Sequence, residues 1–258
     1  MAGAFQTRSA SLAGALLLAC FLFPSRTSAQ RFELKEPEVK KGEATLELEN
    51  SVHVGLPDDV TGLDRTAHEV RFNYGLTDFW RLSPGLEIEA PKNGGPRFAS
   101  ATLENLFVLK PLGTSGLGVG WFTAAEIATN PDTTNSLIFG PIVRLKAGAF
   151  STNFNPFFDK TFGQHHEEGI ALDYRWQTKL DVQKGLGIGV EAFGRIENLG
   201  NPPPFSQQEH RVGPVLYWEG EIVKGREITV EVGPLMGLTE ATPRLALKFN
   251  VEVPLSSK

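Results

Sequence analysis

The chain has 258 residues, with 25 Lys and Arg against 30 Asp and Glu; a formal charge of −5 offers no basic surface to a polyanion and argues against a nucleic-acid partner. One cysteine, Cys20, excludes a disulfide framework. The length suits one barrel or one large sandwich, so a single domain is expected.

Residues 1–29 read as a secretory signal peptide. Arg8 is the only charge before an apolar run from Leu12 to Phe23, and Thr27-Ser28-Ala29 supplies small residues for cleavage after Ala29. Cys20 lies inside the run, and Phe21-Leu22-Phe23 continues it, so Leu17-Leu18-Ala19-Cys20 is only a loose lipoprotein site and lipidation is not expected. No later segment approaches the roughly 18 continuous apolar residues of a transmembrane helix. Residues 30–42 are expected to form a periplasmic N-terminal segment, and 43–258 the folded domain.

From Glu43 onward, strand-length segments alternate apolar and polar residues between breaks rich in Gly, Pro, Asn and Asp. Period two means strand. Twelve are expected, at 43–56, 67–76, 79–90, 98–109, 118–129, 137–147, 151–158, 169–181, 186–197, 209–219, 227–237 and 243–253. The last is the clearest, with Leu245, Leu247, Phe249, Val251 and Val253 on one face and Ala246, Lys248, Asn250 and Glu252 on the other. Gly140-Pro141, Gly213-Pro214 and Gly233-Pro234 fall inside strands, where proline removes a ladder donor. A bulge or bend near the rim is expected at each.

Short breaks at Thr77-Asp78, Gly148 to Phe150 and Val182 to Gly185 contrast with longer ones at Pro57 to Thr66, Asp159 to Glu168 and Asn198 to Gln208. Outer-membrane barrels have short periplasmic turns and long outer loops, so both termini are expected in the periplasm. In that orientation Trp80, Trp121, Trp176 and Trp218 fall near the periplasmic rim, joined by Tyr74 and Tyr174, and all six point outward. An interfacial aromatic girdle is expected from them.

The faces opposite the apolar ones are charged. Glu47, Glu69, Arg71, Arg81, Glu87, Glu89, Arg144, Arg175, Glu191, Arg195, Arg211 and Lys248 are expected to line the lumen. Carboxylates dominate the first five strands, with Glu49, Glu104 and Glu126 added to the set, and cations the later ones, with Lys146 and Lys179 added. Walls of opposite sign would set a transverse field across a pore; equally, these groups could neutralise one another and plug it.

Other motifs are weaker. His165-His166-Glu167-Glu168 is the most metal-like cluster, but adjacent residues rarely converge on one ion, and no metal or cofactor is expected. Ser51-Val52-His53 places a hydroxyl and an imidazole on one strand face, as any residues two apart would be, so no catalytic triad follows and no enzyme is expected. The glycines of Leu117-Gly-Val-Gly120 and Leu186-Gly-Ile-Gly189 lack a following helix and do not suggest phosphate binding. Asn201-Pro-Pro-Pro204 reads as a stiff outer loop.

Val212-Gly-Pro-Val-Leu-Tyr-Trp218 and Val232-Gly-Pro-Leu-Met-Gly-Leu-Thr-Glu-Ala-Thr-Pro243, followed by an amphipathic strand, resemble the proteobacterial MetA-pathway phenol-degradation or transporter-like outer-membrane family. Phe154-Asn-Pro-Phe-Phe-Asp159 and Gly169-Ile-Ala-Leu-Asp-Tyr-Arg-Trp176 look similar to its middle strands. The resemblance implies an outer-membrane barrel for small molecules, aromatic ones included, and carries no catalytic residues. One departure is the tail Pro254 to Lys258, where such barrels commonly end on an aromatic residue used in assembly.

The expectation is an all-β protein: a single closed antiparallel transmembrane β-barrel of about twelve strands in the Gram-negative outer membrane, in contact with lipid and small-molecule solutes, acting as a passive channel. The alternatives are a plugged barrel with a structural or binding role in the envelope, and a secreted soluble barrel that binds an apolar ligand inside and turns its charged face outward. Oligomeric partners are not written in the sequence.

Overall fold

The computed structural model describes residues 32–55, 64–91, 95–129, 134–163, 166–223 and 226–255. The expected signal peptide, Cys20 and His165 lie outside the described residues. The strands are β1 Ala44–Val54, β2 Asp64–Gly75, β3 Trp80–Pro91, β4 Arg97–Lys110, β5 Leu117–Ala128, β6 Asn135–Ala147, β7 Phe150–Phe162, β8 Ala171–Gln183, β9 Leu186–Ile196, β10 Glu209–Val223, β11 Arg226–Gly237 and β12 Leu245–Pro254. Each pairs antiparallel with its sequence neighbours, and β1 closes on β12 from Thr45↔Pro254 to Val54↔Leu245. The sheet is a closed twelve-stranded barrel, and closure leaves no free edge.

Burial is inverted relative to a water-soluble protein. Lys248 and Arg71 are fully buried, while their apolar neighbours Leu247 and Phe72 are 45% and 39% exposed; Leu86, Leu103, Ile127, Leu137, Ile188 and Leu216 are exposed too. Leaving such a side chain in water forgoes about 1.5–3 kcal/mol each, and burying a charge adds a desolvation cost. In hydrocarbon the same arrangement is favourable, because the outer face meets lipid and the inner face keeps its own polar company. A soluble barrel with its charged face outward is therefore excluded by the geometry. Strands of 10 residues in β12 to 15 in β10 suffice for a tilted crossing, which needs about 9–11.

The strand prolines are accommodated differently from expectation. Pairing of β10 with β11 lapses between Val212↔Met236 and Leu216↔Val232 and resumes in the same register, and β6 with β7 does likewise between Phe139↔Phe158 and Val143↔Phe154. No bulge lies at these prolines; the register shifts are elsewhere, for instance at Glu87/Ile88 and Asp181/Gln183. The glycine before each proline instead lets the backbones close up. A Cβ on Gly213 would stand 1.8 Å from the Pro234 carbonyl oxygen, one on Gly233 2.2 Å from that of Pro214, and one on Gly140 2.3 Å from that of Pro156. β10 and β11 thus lock through reciprocal Gly-Pro pairs. Gly213→Val should destabilise the barrel by about 3 kcal/mol, the upper range for overpacking, read as a lower temperature for loss of heat-modifiable mobility on gels; an unchanged temperature would refute the lock.

A further difference concerns the N-terminal segment. Of residues 30–42, expected in the periplasm, the described ones run from Phe32 to Val39 through the barrel interior as an extended strap. Phe32, Glu33 and Lys35 are buried. The strap leaves the lumen beside the β2–β3 turn, where Lys41 N–H donates to Asp78 Oδ1 at 3.1 Å and Gly42 N–H to the Gly75 carbonyl at 2.8 Å. Gly118 and Gly120 make room for it: Cβ atoms there would lie 2.9 and 3.2 Å from Pro37. That is the structural meaning of the Leu117-Gly-Val-Gly120 glycines.

Candidate functional site: the barrel lumen

The interior has a sealed middle and two open ends. At its centre the Arg71 guanidinium meets five carboxylates, Glu33 at 3.1 Å, Glu47 at 2.9 Å, Glu49 at 2.6 Å, Glu69 at 2.8 Å and Glu104 at 3.1 Å. Lys35 of the strap supplies the second cation, 2.6 Å from Glu104 and paired with Glu33. Alternation on β1, β2 and β4 aims four of these acids inward and the strap brings Glu33, and a fork-shaped guanidinium can reach so many at once.

The facing wall holds the strap by its main chain. Asn155 Oδ1 accepts the Lys35 N–H at 2.7 Å, and Asn155 and Asn153 each donate to the Lys35 carbonyl, at 3.0 and 2.9 Å. Arg175 donates to the Glu33 carbonyl at 3.0 Å and Asn250 to the Phe32 carbonyl at 3.0 Å. The Phe32 ring fills a pocket of Phe193, Val215, Tyr217, Leu235 and Ala246, with the Arg211 guanidinium 5.0 Å from its centroid. Nearer the strap's exit, Arg144 pairs with Glu38 at 2.9 Å and with Glu36, while Val39 packs against the buried cluster that holds Leu106, Phe122, Ile138, Ile142 and Phe157. The inner faces of β5 and β6 are thus largely apolar, a wall that a census of charged residues does not reveal.

Charges pair locally, not across the lumen. Lys248 meets Glu191 at 2.8 Å and Glu231 at 2.6 Å. Arg195 meets Asp159 at 2.9 Å, Asp173 at 2.7 Å and Glu197, and Arg211 meets Glu209 at 2.8 Å. The expected field between an acidic and a basic wall is therefore largely quenched within each wall and by the strap.

The twelve expected lumen residues divide accordingly. Glu69, Arg71, Glu191, Arg211 and Lys248 are sealed in the middle layer. Glu47, Arg81 and Arg144 border a vestibule of about 650 Å³ at the rim of the β2–β3 turn. Glu87, Glu89, Arg175 and Arg195 border one of about 360 Å³ at the opposite rim. Sequence reasoning missed Lys35, Asn153, Asn155 and Asn250; the inward amides at 153 and 155, two apart on one strand, were the available signal.

The aromatic residues do not share a single rim. Tyr74 ends β2, Trp80 opens β3 and stacks on Phe107 at 5.9 Å, Trp121 pairs with Phe107, and Trp218 pairs with the first residue of β9. Trp176 is at mid-strand, opposite Phe154 and Ala192. Tyr174 lies towards the other rim, where it hydrogen-bonds His210 Nδ1 at 2.7 Å. β8 runs from Ala171 to Gln183, so Tyr174 is its fourth residue and Trp176 its sixth, neither near the end that meets the short turn.

Ser51 Oγ and both His53 ring nitrogens are buried without a hydrogen-bond partner, and His53 faces the Phe32 ring at 5.7 Å, so the hydroxyl and the imidazole are not hydrogen-bonded to each other. His166 Nδ1 is bonded to the Gly163 carbonyl at 2.9 Å. Among the described residues, Glu33, Glu47 and Glu49 come close enough to share an ion, and the Arg71 guanidinium already bridges them. In the Asn201–Pro204 loop, the Pro203 carbonyl accepts from Gln208 Nε2 at 2.7 Å.

No family model and no curated protein matches the chain. Solved structures do. An outer-membrane channel from Pseudomonas putida F1 superposes with a TM-score of 0.61 at 11% identity, over 86% of this chain and 99% of that one. The KdgM porin in complex with disordered oligogalacturonate gives 0.52 at 13% identity, over 83% and 99%. The NanC porin gives 0.52 at 11%, over 82% and 99%. These likenesses are of fold.

Proposed function

We propose that this chain is a Gram-negative outer-membrane barrel that passes small solutes by passive diffusion, and that the strap closes the path in the state described above. The supporting observation is a lumen with a polar vestibule at each end, interrupted among the described residues by residues 32–39, the groups they touch and the Lys248–Glu191 pair beside them. Acids outnumber bases in both vestibules: nine against five in the wider, and eight against two in the narrower. Such mouths concentrate cations and repel anions. The apolar wall around Phe122 and Phe157 suits small aromatic molecules as well, in keeping with the resemblance of the Gly-Pro strand motifs to the phenol-degradation transporter-like family. No residue is given a catalytic role, and lipid and solute are the partners.

Planar-bilayer recording of refolded protein tests this. Under a KCl gradient the reversal potential should favour K⁺ over Cl⁻ several-fold, with the preference shrinking as salt rises and screening shortens. Anion preference, or no current in any salt from either the parent or strap-weakened variants, would overturn the reading. The second outcome would favour a plugged structural barrel, the alternative that the dense ion pairing around Arg71 supports.

A further inference from the structure

We infer that the middle of the lumen is a binding site for an extended peptide, which residues 32–39 of the same chain fill in cis. The inference builds on the reading of the lumen as a solute path and names a class of molecule that path would take.

The contacts that hold the strap are those of peptide recognition. Asn155 brackets one residue, accepting the Lys35 N–H through Oδ1 and donating to the Lys35 carbonyl through Nδ2, much as a neighbouring strand would. A polyol or simple ion does not present an N–H and a C=O from one rigid residue in that spacing. Asn153 strengthens the same carbonyl contact, and Arg175 and Asn250 take the carbonyls of Glu33 and Phe32. Five hydrogen bonds, from β7, β8 and β12, thus read main chain only and would serve any extended peptide.

Selectivity comes from the flanking pockets. The aromatic pocket around Phe193 takes the first side chain, Arg71 the acid after it, and Glu104 the basic residue two further on. The favoured ligand is therefore an extended peptide of the pattern aromatic, acidic, apolar, basic. Without an occupant the buried amides of Asn153 and Asn155 would lose most of their partners, which folded proteins avoid.

The test uses the full chain carrying Phe32→Ala and Lys35→Ala, to weaken the internal occupant, and a dye-labelled octapeptide of the sequence of residues 32–39, followed by fluorescence anisotropy in detergent. Phe32→Ala alone serves if the double variant does not fold. The variant should bind the peptide, the same residues in scrambled order should bind at least tenfold more weakly, and adding Asn155→Leu should weaken binding at least tenfold. No binding, or equal binding of the scrambled peptide, overturns the inference, because the site is then either not exchangeable or not selective. Anisotropy decides this question whether or not the protein passes current, so its failure is distinguishable from failure of the channel reading.

Discussion

Replacing Arg71 with methionine should leave little folded barrel at neutral pH. Five carboxylates converge on this one guanidinium within 3.1 Å, in a layer where the arginine itself has no exposure. Removing one partner from a buried ionic set costs about 3–5 kcal/mol, and here the uncompensated charge would sit on several acids together. A domain is stable by only about 5–15 kcal/mol. Refolding yield, read as the heat-modifiable band on a gel, should fall to a small fraction of the parent's. Arg71→Lys keeps the charge but loses the fork that spans the acids, so it should recover part of the yield. A methionine variant that refolds as well as the parent would show that the acids need no common counter-charge.

Gly120→Leu should open the path. Gly120 faces the lumen beneath Pro37, where even a Cβ would stand 3.2 Å from the proline ring and 3.0 Å from the Phe107 carbonyl oxygen. A leucine needs the volume that the strap now fills, and the strap is held inside by hydrogen bonds and ion pairs and joined to the wall at one end through residues 40–43, whereas the barrel wall is fixed by ladders on both sides of β5. Single-channel current is expected to rise at least tenfold, with cation preference retained because the vestibule acids are untouched. Gly118→Leu, aimed at the same ring from 2.9 Å, should act alike through a different position. Refolded variants with unchanged current would mean that the strap is not what closes the lumen.

The sequence made some of these features legible and hid others. Leu247 and Lys248 could be assigned to opposite faces without coordinates, since a strand puts successive side chains on opposite sides. The paired roles of Gly213-Pro214 and Gly233-Pro234 could not, because the close approach depends on which two strands lie side by side and in what register. Tyr174 was grouped with the rim of the short turns although it lies in the first half of its strand on the expected and the observed bounds alike, because an alternating pattern fixes the face of a residue and not its height in the barrel.

By itself, then, the sequence determined twelve alternating segments and which residues share the charged face and which the apolar one, since these follow from a period of two, a local property of the chain; the closed barrel and its burial decided that the charged face is the inner one. Only the tertiary structure decided what the inward residues do. Phe32 to Val39 has the composition of a solvated tail, and its partners Asn153, Asn155, Arg175 and Asn250 lie more than a hundred residues away. Closing the sheet brings them to one level of the lumen, and there the strap turns two charged walls into a locally paired plug between two acidic vestibules.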